Sequence, residues 1–385
     1  MSGPVAVIGA GIIGASVAWH LARRGRTVVL LDRSDGPGRG STGRATGGFR
    51  AQYATPINIR LSLLAREKLR RFAADTGGDA GYRPAGYLWL AGTPAELAAL
   101  RAGQTVQHAE GLTEAIEVAP DDIARVNPAL DLEGIVGGVY CPTDGFIAPG
   151  GMLSGYLRGA ERLGATVHWG VEATGLGRRR DGAITSVRTT QGDLPAAAVV
   201  NAAGAWAASV AAWAGVDLPV AALRRQVAVT EPFDRLPADM PMTIFAGDGF
   251  HLRVRDGRVL LLWPTPGVPG RPYEDSVNPE WIDAVVEKAR RRVPVLRGAA
   301  IDRTGAWGGL YEMSPDKHAL LGPAPGCPNL YLANGSSGHG VMHAPALGQL
   351  LAEIICDGEA TTLDVTALRP SRFAEGALNP VSELL

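Results

Sequence analysis

The run Val5-Ala6-Val7-Ile8-Gly9-Ala10-Gly11-Ile12-Ile13-Gly14 constrains this chain more than any other, because an apolar strand passes directly into a GxGxxG turn. A helix follows from Ala15 to Arg24, and a second strand from Thr27 to Leu31 ends in Asp32. Together these form a βαβ unit built to bind a dinucleotide. Gly9 permits the tight turn, Gly11 lets backbone N–H groups approach a pyrophosphate, and Gly14 allows close packing of helix on sheet. The helix N-terminus faces the phosphates, and Asp32 is placed to accept hydrogen bonds from a ribose. A signal anchor is the competing reading, since Pro4 to Trp19 carries no charge. That run is shorter than the roughly 20 residues a membrane span needs, is broken by glycines and has no basic residue before it.

A chain of 385 residues suits two domains, and an apolar fraction of 46% is ample for a core. Lys and Arg total 37 against 38 Asp and Glu, so no global field points to nucleic acid or an anionic membrane. Cys141, Cys327 and Cys356 are widely spaced, which excludes a zinc ribbon or a disulfide scaffold, predicts no metal site and fits a reducing, cytoplasmic setting.

Beyond the N-terminal unit, Gly36 to Gly48 has the composition of a flexible ligand-contacting loop. Helices are expected over Ile57–Phe72, from Thr93-Pro94, near Asp121–Arg125 and over Pro149–Leu163, with strands at Gly86–Leu90 and Thr166–Trp169. A hairpin is expected around Asp181-Gly182, and a strand ending in Asn201-Ala202-Ala203-Gly204. Short strands at Gln226–Thr230, Gly249–Val254 and Arg258–Trp263, separated by proline-rich loops such as Pro264–Pro272, predict a mostly antiparallel sheet. A strand at Leu330–Ala333, a turn at Gly335–Gly340 and a helix through Ile355 close the chain. The fold class is α/β: a Rossmann-type domain of residues 1–85, 141–215 and 305–385, with a mostly antiparallel substrate domain of residues 86–140 and 216–304 inserted in two pieces.

Ser41-Thr42-Gly43-Arg44, Gly47-Gly48-Phe49-Arg50, Asp144-Gly145-Phe146, Asn201 to Trp206, Gly309 to Asp316 and Ser337-Gly338-His339-Gly340, with the N-terminal unit, resemble the D-amino-acid oxidase superfamily of FAD-dependent oxidoreductases. Sarcosine oxidases, glycine oxidases and the β subunits of heteromeric sarcosine oxidase and proline dehydrogenase are the nearest likeness. The resemblance implies hydride transfer from the carbon next to a primary or secondary amine to flavin N5, leaving an imine, with O2 or another acceptor reoxidising the flavin. It places FAD against Gly9, Gly11, Ile12, Ile13, Gly14, Asp32, Arg33, Ser41, Thr42, Arg44, Ala45, Thr46, Gly47 and Gly48. Further contacts fall to Ala173, Ala203, Gly204, Trp206, Gly309, Leu310, Gly338, His339, Gly340, Val341 and Met342. Independently, a helix opening at Gly338-His339-Gly340 offers N–H groups and a positive dipole end where charge accumulates on a reduced flavin.

For the substrate, Arg50 resembles the family's carboxylate-holding arginine, and a guanidinium fork suits that task. His251, Arg253, Tyr311 and Met342 complete the expected catalytic set, while Tyr53, Trp263, Trp307 and His343 are aromatic candidates with core packing as the plainer alternative. The departures from the family matter. Gly309 stands where monomeric sarcosine oxidase has its flavin-bearing cysteine, Arg44 where dimethylglycine-dehydrogenase-like members have a tethering histidine, and Gly150 where heteromeric β subunits carry a second-flavin histidine. One noncovalent FAD is therefore expected. Met342 and Arg253 replace two lysines, one that clamps carboxylate and one that activates oxygen, so oxidase and dehydrogenase both stay open. The rivals are a β-type subunit of an electron-transfer complex, a nicotinamide-dependent dehydrogenase and a noncatalytic nucleotide binder.

Overall fold

The computed structural model describes residues 3–264 and 273–381, so most of the expected loop Pro264–Pro272 lies outside the described residues. Val5–Ile8 forms the centre of a six-stranded sheet ordered Leu320–Ala324, Cys327–Asn334, Ala198–Asn201, Val5–Ile8, Val28–Asp32, Thr166–Trp169. All neighbours are parallel except the hairpin formed by the first two. A strand buried on both faces must be apolar at every position, and Val5–Ile8 is. Val5 and Val7 enter the helix-side core, whereas Ala6 and Ile8 pack with Leu176, Ile184 and Val187 of a three-stranded antiparallel sheet on the other face. That small sheet contains the expected hairpin, Ala173–Arg178 with Ile184–Thr189.

On the helix side, Ile12–Arg23 lies between Pro149–Arg162 and Gly340–Asp357. The contact with the last helix is unusually close. Ser16 Oγ donates to the Ala344 carbonyl at 2.8 Å, and a Cβ on Gly348 would stand 2.8 Å from the Ser16 carbonyl carbon. Only glycine fits there, and the approach brings the starts of both helices to the same end of the sheet. Gly14 works similarly: its Cβ would lie 1.9 Å from the Gly9 carbonyl oxygen, so it packs helix on strand, as its spacing predicts.

The second sheet has eight strands in the order Ile301–Met313, Ala221–Thr230, Arg258–Leu262, His251–Arg255, Met242–Phe245, Tyr87–Ala91, Gly137–Cys141, Ile116–Val118. It is antiparallel apart from the pairing of Met242–Phe245 with Tyr87–Ala91. Alternation sorts its side chains. Leu88, Leu90, Leu252, Val254 and Leu261 pack under the helix Pro279–Arg292, while Tyr87, Trp89, His251 and Leu262 face the opposite side. Two elements depart from the sequence expectation. Ser41–Arg44 is a helical turn within the glycine-rich stretch, and Ile301–Met313 is a 13-residue strand that spans the expected boundary between residues 304 and 305. Both are fixed by contacts distant in sequence, which local composition does not reveal.

Replacing Gly348 with leucine should lower the unfolding free energy by about 2 kcal/mol or more through overpacking against Ser16. An unchanged denaturant midpoint would show that the two helices separate without cost.

Candidate functional site

The two sheets enclose a cavity of about 1240 Å³ that reaches from Asp32, Arg33 and Trp206 at one end to Tyr311, Gly338 and His339 at the other. It opens beyond the carboxyl ends of Val5–Ile8 and Ala198–Asn201, where the chain turns from one side of the sheet to the other, the usual ligand position in such folds.

At the first end, Asp32 Oδ2 accepts from the Ala10 N–H at 2.9 Å, and Oδ1 accepts from the Ser34 N–H and hydroxyl at 2.9 and 2.6 Å. A carboxylate offers about four acceptor positions, so room remains for a ribose hydroxyl. The Arg33 guanidinium lies 4.1 Å above the Trp206 ring, forming a flat wall. Asn201, fully buried, accepts from the Ala203 N–H and donates to the Ala207 carbonyl, which shapes the small-residue wall at Ala203 and Gly204.

The middle wall is a latch between two distant segments. Thr42 Oγ1 accepts from the Ile12 N–H at 3.1 Å, Ser41 Oγ donates to the Leu310 carbonyl at 2.7 Å, and Arg44 donates to the Gly308 carbonyl at 2.8 Å. Trp307 Nε1 returns a bond to the Arg44 carbonyl at 2.9 Å. Ala45, Thr46, Gly47 and Gly48 continue along the cavity, as do Gly9, Gly11, Ile12, Ile13, Ala173, Gly309 and Leu310.

Arg253 is placed differently from its expected role. Its position in the strand is on the cavity face of the sheet, but the loop 45–47 intervenes. The guanidinium donates to the carbonyls of Thr46 and Gly47 at 2.7 and 3.0 Å and lies 3.6 Å over the Phe146 ring, so it buttresses the wall from behind. Gly14, Tyr53 and His343 also stand behind the lining, whereas Trp263 and Trp307 are part of it.

At the far end, Gly48–Phe49 pairs with Gly145–Phe146 and delivers Arg50 to the cavity. Asp144 secures this turn by accepting from the Ala51 N–H at 2.7 Å and from Gln52 Nε2 at 3.2 Å. Burial pushes its carboxyl up to about 6, opposed by those donors. Arg50, 7% exposed, lies 4.5 Å over Tyr53 and 5.1 Å over Trp89, with His339 Nε2 at 3.4 Å from its Nη2. Burial holds His339 well below the ordinary imidazole range and His251 down to about 4, so both are neutral at pH 7. Met342 accepts from Tyr53 Oη at 3.0 Å and lines the cavity. Gly338, at φ +91°, turns the chain into the last helix, and a Cβ there would lie 2.4 Å from the Tyr311 ring. The first intrahelical bond runs from the His343 N–H to the His339 carbonyl, leaving the N–H groups of Gly340, Val341 and Met342 at the start of the helix, beside the cavity.

The DAO family model, described as FAD dependent oxidoreductase, matches residues 4–354. The chain belongs to this family. Mitochondrial dimethylglycine dehydrogenase of Mus musculus is 31% identical over 398 residues, covering 98% of this chain and 45% of the relative. This chain thus spans less than half the length of the dimethylglycine dehydrogenases it matches. Glycine oxidase of Geobacillus kaustophilus is 27% identical, with 96% of each chain covered. The crystal structure of L-proline dehydrogenase from P. horikoshii superposes with a TM-score of 0.90 at 28% identity, covering 98% of this chain and 99% of that one.

Family membership identifies the dinucleotide as FAD and removes the nicotinamide alternative. The cavity suits it: the space is continuous and dinucleotide-sized, its narrow part is walled by backbone and small residues, and a helix start stands at the far end. Among the wall residues that sequence reasoning missed, three bear on the chemistry. Trp89 lies under Arg50, Glu312 is pushed up to about 7 by burial while its Oε1 accepts from the Ser336 N–H, and Arg225 stands near Tyr311. Arg225 carried a signal, because it shares a strand face with Leu223, Val227 and Val229 where an apolar residue is the rule.

Truncating Asp144 to alanine orphans buried donors and should cost about 3 kcal/mol in denaturant unfolding; a variant as stable as the parent would mean that the Arg50 turn holds itself. His343, 2.9 Å from Ser62 Oγ, is pulled down to about 3, mainly by burial and further by Arg50. Its folded-state pKa is depressed, so the unfolded chain alone takes up this proton as pH falls below 6.5. Relative to His343→Gln, the parent should lose about 1.4 kcal/mol between pH 8 and pH 5.5. Parallel stability curves over that range would contradict the assignment.

Proposed function

We propose that this chain oxidises a carboxylate-bearing primary or secondary amine to an imine, using one noncovalent FAD. Bound FAD supplies the electron-pair acceptor, taking hydride at N5. The observation that carries the reading is Arg50, a buried guanidinium delivered to the cavity wall beside the start of the last helix. It binds the substrate carboxylate and so fixes the amine-bearing carbon, which is mainly a task of positioning. Neutral His251 and His339 add no charge against an incoming ammonium, and Glu312, near 7, can take up the proton the amine must lose. Gly309 and Arg44, the two tethering positions implied by the resemblance, are neighbours, and neither offers a nucleophile.

Sheet and cavity support residues 1–85, 141–215 and 305–385 as FAD-binding segments and 86–140 and 216–304 as substrate-binding segments, with the substrate-side strand reaching Met313. Among the described residues no helix is long and apolar enough to cross a membrane. The three unpaired cysteines support a cytoplasmic setting.

Dehydrogenase action is favoured over oxidase action by one feature: Arg253, which by the resemblance replaces an oxygen-activating lysine, is spent on backbone carbonyls. An acceptor other than O2, a partner subunit included, then reoxidises the enzyme. The test is anaerobic bleaching of the bound flavin by a panel of amines and amino acids, followed by air. Carboxylate-bearing amines should bleach it, colour should return slowly, and Arg50→Gln should raise the concentration required by about 100-fold. Bleaching by amines without a carboxylate, unaffected by Arg50→Gln, would remove the role given to Arg50, and rapid recovery in air would return the oxidase.

A further inference from the structure

Arg224 and Arg225 are adjacent on one strand and therefore point to opposite faces. Arg224 turns to the Ser276 carbonyl and hydroxyl at 3.2 and 3.1 Å and to Glu274 at 3.7 Å. Arg225 turns into the cavity, with its guanidinium 5.9 Å from the centre of the Tyr311 ring. Among the described residues no carboxylate pairs with it. Burial lowers its pKa, and Tyr311 is the group acting in the other direction.

Arg50 and Arg225 converge on the same groups. Each depresses the His251 pKa, and each acts on the Tyr311 hydroxyl. One carboxylate needs one guanidinium fork, and a second, half-buried cation in the same chamber loses hydration that an anion would replace. Leu223, Val227 and Val229 share its strand face, the two valines at least 95% buried, so an apolar side chain would be the ordinary choice there.

We infer that the substrate carries two acidic groups: an amino dicarboxylate in which Arg50 holds the carboxylate next to the amine-bearing carbon and Arg225 holds a second carboxylate, on the nitrogen substituent or the side chain. This rests on the role proposed for Arg50. Arg225 is then a specificity-determining residue in direct contact with substrate.

The test uses the FAD-loaded protein and unreactive thioether acids in which sulfur replaces the amine: (methylthio)acetate, thiodiacetate and 3-(carboxymethylthio)propanoate. Binding is read from the perturbation of the flavin spectrum, without turnover. In the parent, the better dicarboxylate should bind at least about 10-fold more tightly than the monocarboxylate. Arg225→Gln should erase that advantage while leaving monocarboxylate affinity within about 2-fold, and Arg225→Lys should keep part of it. Arg50→Gln should weaken all three acids.

If the monocarboxylate binds through Arg50 but neither dicarboxylate gains, the second-anion proposal falls and the Arg50 reading stands. It falls in the same way if the gain survives Arg225→Gln, or if Arg225→Gln weakens all the acids equally, as a charge acting on the flavin alone would. If none of the acids binds the parent protein, the Arg50 reading itself fails and takes this proposal with it.

Discussion

The structure depends on the close crossing of its first and last helices. Ser16 meets the backbone of the last helix at Ala344, and Gly348 has no side chain because the Ser16 backbone occupies that space. Residues more than 300 apart in sequence thereby set two helix starts at one end of the parallel sheet. One follows the turn Gly9 to Gly14; the other, at His339 and Gly340, stands at the far end of the same cavity.

Electrostatics in the chamber follow from burial. His251 and His339 are neutral, burial pushes Glu312 up to about 7, and Arg50 and Arg225 bring positive charge to the same wall. Such an interior is poised for an anion and tolerant of a neutral amine. Arg253 sits on the cavity face by strand alternation, yet residues 45–47 lie between, and its guanidinium donates to their carbonyls.

The N-terminal unit was legible because each residue there serves a local rule: burial on both faces for Val5 to Ile8, turn geometry for Gly9, close packing for Gly14. Helix starts with proline at the first position, Pro94 and Pro149 among them, were legible for the same reason. The turn Ser41–Arg44 was hidden, since its order comes from Leu310, Gly308 and Ile12 and not from its own glycine-rich composition. The long strand Ile301–Met313 was hidden too, its middle being glycine-rich and only moderately buried. Arg50 was found through the motif around it. Trp89 was overlooked because nothing local marks a strand residue as facing a cavity until its sheet partners are known, and Arg225, though out of place on an apolar strand face, gains its meaning only from those partners.

The central claim is that this cavity holds FAD without a covalent bond. It is tested most directly by the visible spectrum of the purified protein, recorded before denaturation and again on the separated precipitate and supernatant. A yellow protein whose FAD passes entirely into the supernatant is the predicted result. A colourless protein that fails to take up added FAD, or flavin that stays with the precipitated chain, would contradict it.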